Sequence, residues 1–176
     1  SFQPLIADTA RAFDGDDNAD YYARNSLTVS EFTAVLEQLY AGGYVLVSME
    51  DMAAPDNTGT YQPGQILLPE GKKPLILSLV PAHYTTGLAG DGFARRLVVA
   101  SGGQIACEYV DAEGKATTGS YDLVSILETF LTQHPDFSYR GARAILGISG
   151  DPSPLGYDLT DETEQASARK VALCLL

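Results

Sequence analysis

The sequence contains few of the side chains from which metal sites and nucleophilic sites are usually built. Its 176 residues include two histidines and two cysteines. Cys107 and Cys174 lie far apart in the chain, a spacing that matches no cysteine zinc motif. A disulfide between them depends on geometry that a sequence does not give. The cysteines therefore predict neither a metal site nor a crosslink.

Basic residues are also scarce. The chain has 11 lysines and arginines against 23 aspartates and glutamates, which gives a formal net charge of −12. Binding to nucleic acid or to anionic lipid depends on clustered positive charge, so we expect neither partner, and the acidity mainly favours solubility. No apolar run approaches the roughly 20 residues of a membrane helix, so no transmembrane segment is predicted within this sequence.

Apolar residues recur at helical spacing in two stretches. The first begins after Thr28, which has the capping-box spacing to Glu31. Its apolar face consists of Phe32, Val35, Leu36, Leu39 and Tyr40. The second stretch covers about residues 121–133. A third helix is predicted over residues 161–176, where acidic side chains in the first turn favour the helix dipole.

Four stretches have the apolar character of short strands: residues 2–7, 44–48, 74–79 and 142–149. Their alternation with helices predicts the α/β class. The strand–helix–strand order at the start of the chain predicts that residues 2–7 and 44–48 form a parallel pair. Residues 54–64, rich in proline, glycine and polar side chains, are predicted to be a loop.

Residues 95–120 have a different pattern, with two apolar runs on either side of the Ser101-Gly102-Gly103 turn. This predicts an antiparallel β-hairpin or small meander inserted into the α/β framework. The chain length suits one domain with a sizeable core. We therefore assign residues 1–176 to a single α/β domain.

Four segments carry a family resemblance: PLIAD at 4–8 leading into AFDGD at 12–16, LPEGKKP at 68–74, GDGFA at 90–94 and HPDFSYRG at 134–141. They resemble the polysaccharide-deacetylase superfamily, in particular a bacterial cell-envelope branch, and the resemblance covers most of the chain. It implies an irregular (β/α) barrel and an extracellular or cell-surface location. It also implies metal-dependent deacetylation of a polysaccharide or peptidoglycan-type glycan.

The family's catalytic residues do not carry over. In the family, one strand ends in two consecutive aspartates, a general base and a metal ligand. Counting back from residues 90–92, these positions fall on Val80 and Pro81, which can neither accept a proton nor bind a metal. The family's closely spaced histidine pair has no counterpart, because His83 and His134 lie far apart. We assign no catalytic residue, no metal ligand and no cofactor within this sequence.

The resemblance also implies that these residues supply about the first half of a barrel and that its C-terminal part is missing. The last helix ends on apolar residues without a cap, as a truncated helix would, and Ser1 is not an initiator methionine. Half a barrel has an open sheet edge. We therefore expect either a longer chain or closure by a partner, which includes a homo-oligomer.

The predicted ligand pocket consists of Asp8, His83, Tyr84, Ser149 and Tyr157. In parallel α/β folds, sites are built where strands end and loops begin, and all but Tyr157 follow a predicted strand. Tyr157 could stack on a sugar ring. The alternative for His83 and Tyr84 is a pair of solvent-facing loop residues, and the alternative for Tyr157 is packing beneath its own loop.

Three functions remain open from the sequence. The first is a non-catalytic relative of the deacetylases that binds glycan or another envelope partner, because Val80 and Pro81 cannot support metal-assisted hydrolysis. The second is an active deacetylase or hydrolase, with zinc or another divalent metal, completed by residues outside this sequence. The third is a structural or protein-interaction domain that uses the inserted hairpin as its contact surface.

Overall fold

The computed structural model describes residues 1–148 and 153–175. In these ranges the α-helices are α1 (Thr9–Ala12), α2 (Ala19–Asn25), α3 (Val29–Ala41), α4 (Met49–Met52), α5 (Thr86–Gly90), α6 (Leu123–Gln133) and α7 (Glu162–Leu175). The strands are β1 (Tyr44–Leu46), β2 (Ala53–Pro55), β3 (Tyr61–Pro63), β4 (Lys73–Leu75), β5 (Ser78–Leu79), β6 (Arg96–Val99), β7 (Ile105–Val110), β8 (Ala116–Gly119) and β9 (Ile145–Leu146). Short 3-10 turns lie at Pro135–Phe137, Tyr139–Gly141 and Pro154–Gly156.

The parallel part of the fold is built around the stretch that contains β4 and β5. Strand β1 pairs with β4, and β5 pairs with β9, both in parallel. The predicted parallel pair between residues 2–7 and β1 is wrong. Residues 2–7 make only isolated bridges, among them Phe2 beside Leu79. Chain order predicts that successive strands share a sheet but does not decide which strand is the neighbour.

The insertion at residues 95–120 is a three-stranded antiparallel meander, β6-β7-β8. Both connections turn through a glycine with positive φ, Gly103 at +82° and Gly114 at +80°, a conformation that other residues adopt only with strain. The register places Leu97 opposite Cys107 and Cys107 opposite Gly119. The predicted antiparallel pairing is therefore present, with three strands.

Residues 54–64 were predicted to be a loop, and the structure instead pairs β2 with β3 in an antiparallel hairpin. The prolines that argued against strands, Pro55 and Pro63, stand at the ends of β2 and β3. Proline is tolerated there because both strands of a two-stranded hairpin are edge strands, in which a missing N–H group can face away from the partner strand.

Two helices cover the parallel strands and provide much of the core. The capping box predicted at the start of α3 is confirmed, since the Thr28 and Glu31 side chains each bond the other's backbone N–H group. Phe32 and Leu36 on α3 are fully buried, as is Leu123 on α6. Each such side chain contributes about 1.5–3 kcal/mol by burial. A smaller, separate apolar cluster consists of Ile6, Ala12, Tyr22 and Phe93, with Leu88 packed against it.

The described residues are of the α/β class, as predicted, with helices and strands in four small sheets and no closed barrel. The irregular barrel that the family resemblance implies is therefore not confirmed. In the same part of the chain, no helix combines the length and the apolar character needed to cross a membrane.

Candidate functional site

The predicted pocket begins where β5 ends. Because β5 and β9 are parallel, their carboxyl ends lie at the same edge of the sheet, and the backbone N–H group of Ala82 donates to the carbonyl of Gly147, 2.9 Å away. The Val80 side chain lies against Gly147, where an added β-carbon would be 2.9 Å from both Val80 methyl carbons. The Val80–Pro81 peptide bond is cis. Val80 is 46% exposed, so the strand-end edge presents an apolar side chain to solvent.

His83 lies two residues after this cis peptide bond and is half-buried between the buried residues Ala82 and Tyr84. Its imidazole has no hydrogen-bond or ion-pair partner among the residues that the structure describes. Neither ring nitrogen is therefore bonded to any residue within 1–148 or 153–175. An imidazole can donate through one nitrogen and accept through the other, so His83 could bond hydroxyl or amide groups of a ligand.

Tyr84 points into the protein instead. Its side chain is buried, and its hydroxyl donates a hydrogen bond to the Asp122 carboxylate. Burial, together with the negative charge of Asp122, raises the pKa of Tyr84 well above its ordinary value. Tyr84 therefore anchors the strand-end loop to the start of α6, and its hydroxyl is occupied by this contact.

The carboxylate that accepts from Tyr84 also caps α6. Asp122 Oδ1 accepts from the backbone N–H group of Ser125 at 3.0 Å and from its hydroxyl at 2.8 Å. The Cys107 sulfur lies 3.1 Å from the same hydroxyl. Burial raises the pKa of the Cys107 thiol, so Cys107 is a poor nucleophile and a structural member of this network.

Asp8 is used by the fold. It follows residues 2–7 and caps α1, with Oδ1 accepting from the backbone N–H groups of Ala10 at 3.0 Å and Arg11 at 3.4 Å. Oδ2 accepts from the Tyr109 hydroxyl at 2.9 Å. Desolvation is the main cause that raises the pKa of Tyr109, which keeps that hydroxyl protonated as a donor. Both oxygens of Asp8 are thus engaged by the protein.

Arg11 connects three elements near Asp8. Its guanidinium donates through Nη1 to the Val110 carbonyl at 2.7 Å and through Nη2 to the Ala89 carbonyl at 2.9 Å. It thereby joins α1 to the end of β7 and to α5. No local pattern singles out Arg11, because its partners lie about 80 to 100 positions away in the chain.

The side chain of Asp91, in the loop after β5, is also bonded to side chains that are distant in sequence. Its Oδ2 accepts from the Tyr22 hydroxyl at 2.6 Å and from Asn18 Nδ2 at 3.3 Å. Burial of Tyr22, followed by its bond to Asp91, raises the pKa of Tyr22. Through Asp91, the loop after β5 is thus bonded to α2 and to Asn18, the residue that precedes α2.

Tyr157 lies in the core. It is 4% exposed, and its hydroxyl donates to the Leu97 carbonyl at 2.6 Å. The Arg96 guanidinium lies over the ring, 5.2 Å from its centroid. This placement matches the alternative in which Tyr157 packs beneath its own loop, and neither face nor hydroxyl is open to a sugar. Ser149 lies outside the described residues.

The four predicted pocket residues that the structure describes are therefore not gathered around one cavity. His83 alone, among those that the structure describes, is a strand-end side chain without a partner. Asp8 and Tyr84 belong to two polar networks connected through β7, which supplies Tyr109 to the first and Cys107 to the second. Among the described residues, no group of three or more histidine, cysteine, aspartate or glutamate side chains is arranged to hold a metal ion.

No known protein family, no curated protein and no solved structure matches this chain. The likeness to polysaccharide deacetylases therefore rests on its own sequence segments.

Proposed function

We propose that this chain is a non-catalytic glycan-binding domain of the bacterial cell envelope, related to the polysaccharide deacetylases. The observation that supports the proposal is the apolar pair Val80 and Pro81 directly after β5, where the family resemblance implies an aspartate pair. Hydrolysis assisted by a metal requires a base and a cation that activates water. An isopropyl group and a pyrrolidine ring supply neither the base nor a ligand for the cation.

The same edge offers groups suited to binding. Val80 exposes an apolar surface, and three residues further on His83 has an imidazole without a partner among the described residues. Sugar rings combine apolar C–H faces with hydroxyls that donate and accept, so an apolar side chain and an imidazole in one short segment match both parts. The ligand class that we propose is a polysaccharide or peptidoglycan-type glycan, met at an extracellular or cell-surface location.

The chain offers a direct experiment because it has two histidines. A proton NMR titration with N-acetylated chitotetraose, and then with soluble peptidoglycan fragments, follows both imidazole signals. The signal of His83 is expected to shift in a saturable way. The signal of His134 is the internal control, because that ring packs against Tyr40 and Phe130, with its centroid 4.4 Å from each of theirs. A His83→Gln variant assigns the two signals.

The titration also separates the rival functions. An unmoved His83 signal up to about 10 mM ligand, beyond the weak end of the affinity scale, would reject the proposed site. Free acetate appearing in the same tube after addition of Zn²⁺ would favour an active deacetylase instead. Equal movement of both imidazole signals would indicate a nonspecific effect of the sugar on the protein.

A further inference from the structure

The segment of residues 85–91, which we name the strap, lies between two fixed points. Before it, Tyr84 is buried and bonded to Asp122. After it, the carbonyl of Gly92 accepts from the backbone N–H groups of Ala7 at 3.0 Å and Asp8 at 2.9 Å. Gly92 has φ +87°, and a β-carbon there would lie 2.5 Å from the Asp8 carbonyl oxygen. The two ends of the strap are therefore held tightly.

The strap itself is held mainly by polar contacts. None of its residues is fully buried, and α5 within it has five residues. Its one apolar attachment is Leu88, which packs against the small cluster of Ile6, Tyr22 and Phe93. A segment with few buried apolar contacts opens at low free-energy cost. A single helical turn without tertiary support does not persist in water.

Two side chains tie the strap to neighbouring elements. Arg11 donates to the Ala89 carbonyl at 2.9 Å. At the end of the strap, the Asp91 carboxylate accepts from the Tyr22 hydroxyl at 2.6 Å and from Asn18 at 3.3 Å. Hydrogen bonds to a charged group are stronger than neutral ones. Among the polar contacts that hold the strap, the bond to the Asp91 carboxylate is therefore the strongest one that a conservative substitution can remove.

We propose that the strap opens as a unit, with the Asp91 carboxylate as its latch. Opening lifts Leu88 away from the Tyr22 and Phe93 rings, whose centroids are 4.9 Å apart, while the anchors at Tyr84 and Gly92 stay in place. The opening follows from the contacts alone and does not depend on the proposed glycan-binding function.

Hydrogen exchange tests the latch without any ligand. In the closed strap, the amide of Leu88 donates to the Thr85 hydroxyl, that of Ala89 to the Thr85 carbonyl, and that of Asp91 to the Gly87 carbonyl. Tyr22→Phe removes the hydroxyl and keeps the ring. It is expected to speed exchange of these amides at least about fivefold, because the lost bond was to a charged group. Asp91→Asn should have a smaller effect in the same direction.

The neighbouring Tyr21 supplies the control, since it is 57% exposed and its hydroxyl has no partner among the described residues. Tyr21→Phe should leave strap exchange unchanged. Unchanged exchange in Tyr22→Phe would overturn the latch, and so would an equal acceleration of the α6 amides, which would show global destabilisation instead.

The latch and the glycan proposal can fail independently. If strap exchange accelerates in Tyr22→Phe but His83 does not respond to chitotetraose, the latch stands and the glycan proposal fails.

Discussion

The side chain of Val80 fills the space that a β-carbon on Gly147 would occupy, 2.9 Å from both of its methyl carbons. The contact joins the residue after β5 to the residue after β9, so it fixes how two parallel strands end. Valine has a stiff χ1, and its branched end cannot simply rotate away. The absence of a side chain at Gly147 and the shape of Val80 are therefore coupled.

Gly147→Ala is expected to destabilise the protein by about 1–3 kcal/mol, the usual cost of overpacking. In a Val80→Ala background the same change should cost much less, with a coupling energy of at least about 0.5 kcal/mol. Urea unfolding of the four proteins measures it. Gly90→Ala is the control, because a β-carbon there meets nothing within 4 Å. Additive single effects would contradict the coupling.

Tyr84→Phe is expected to lower the free energy of unfolding by about 1–3 kcal/mol. The change removes a buried donor to Asp122 and leaves that carboxylate with an unmet acceptor oxygen. The measurement is thermal and urea unfolding beside Tyr44→Phe, whose hydroxyl has no partner among the described residues. A variant as stable as the wild type would mean that the Tyr84–Asp122 bond contributes nothing net.

Stability is expected to fall steeply above about pH 10, the ordinary tyrosine value. The pKa values of Tyr84 and Tyr22 are raised in the folded state, so the unfolded chain loses these protons first. The unfolded state then binds fewer protons than the native state, and the free energy of unfolding decreases as pH rises. Below that pH the contribution is fully present.

The control for this loss of stability at alkaline pH is Tyr84→Phe. The variant lacks one of the hydroxyl protons whose pKa is raised in the folded state. Urea unfolding at pH 8 and at two points above pH 10 should show a shallower decline in the variant. Parallel declines in the two proteins would assign the alkaline loss to other groups.

Tyr157→Phe is expected to cost about 0.5–1.5 kcal/mol, the net contribution of a typical hydrogen bond, because its hydroxyl donates to the Leu97 carbonyl. It should not change the response of His83 to chitotetraose, since the ring lies in the core. Tyr61→Phe, at a ring that is 71% exposed, is the matched control for stability. If the response of His83 to chitotetraose weakened in Tyr157→Phe and not in Tyr61→Phe, Tyr157 would belong to the binding site.

Local features were predictable from the sequence, and distant contacts were not. The α3 capping box depends on Thr28 and Glu31, three positions apart, and it is present as predicted. Tyr84 was predicted in the loop that follows a strand, and it lies in the loop after β5, but its hydroxyl is bonded to Asp122, 38 positions away. No periodicity or spacing in the sequence encodes that pairing.

The strand pairings show the same limit. The α/β class followed from the alternation of elements, yet the partner of β1 proved to be β4 instead of residues 2–7. The hairpin of β2 and β3 was missed because Pro55 and Pro63 argue against central strands but not against the edge strands of a two-stranded hairpin. The contacts of Arg11 and Asp91 were missed because their partners lie in elements far away in the chain.

The two cysteines differ in their exposure to solvent, and this difference allows one of them to be labelled selectively. Cys174 is exposed on α7, while Cys107 is fully enclosed beneath the meander. A maleimide dye should therefore attach to Cys174 alone in the native protein and give a uniformly single-labelled sample. Cys107 should react slowly, and the rate of this second labelling would measure how often β7 separates from α6.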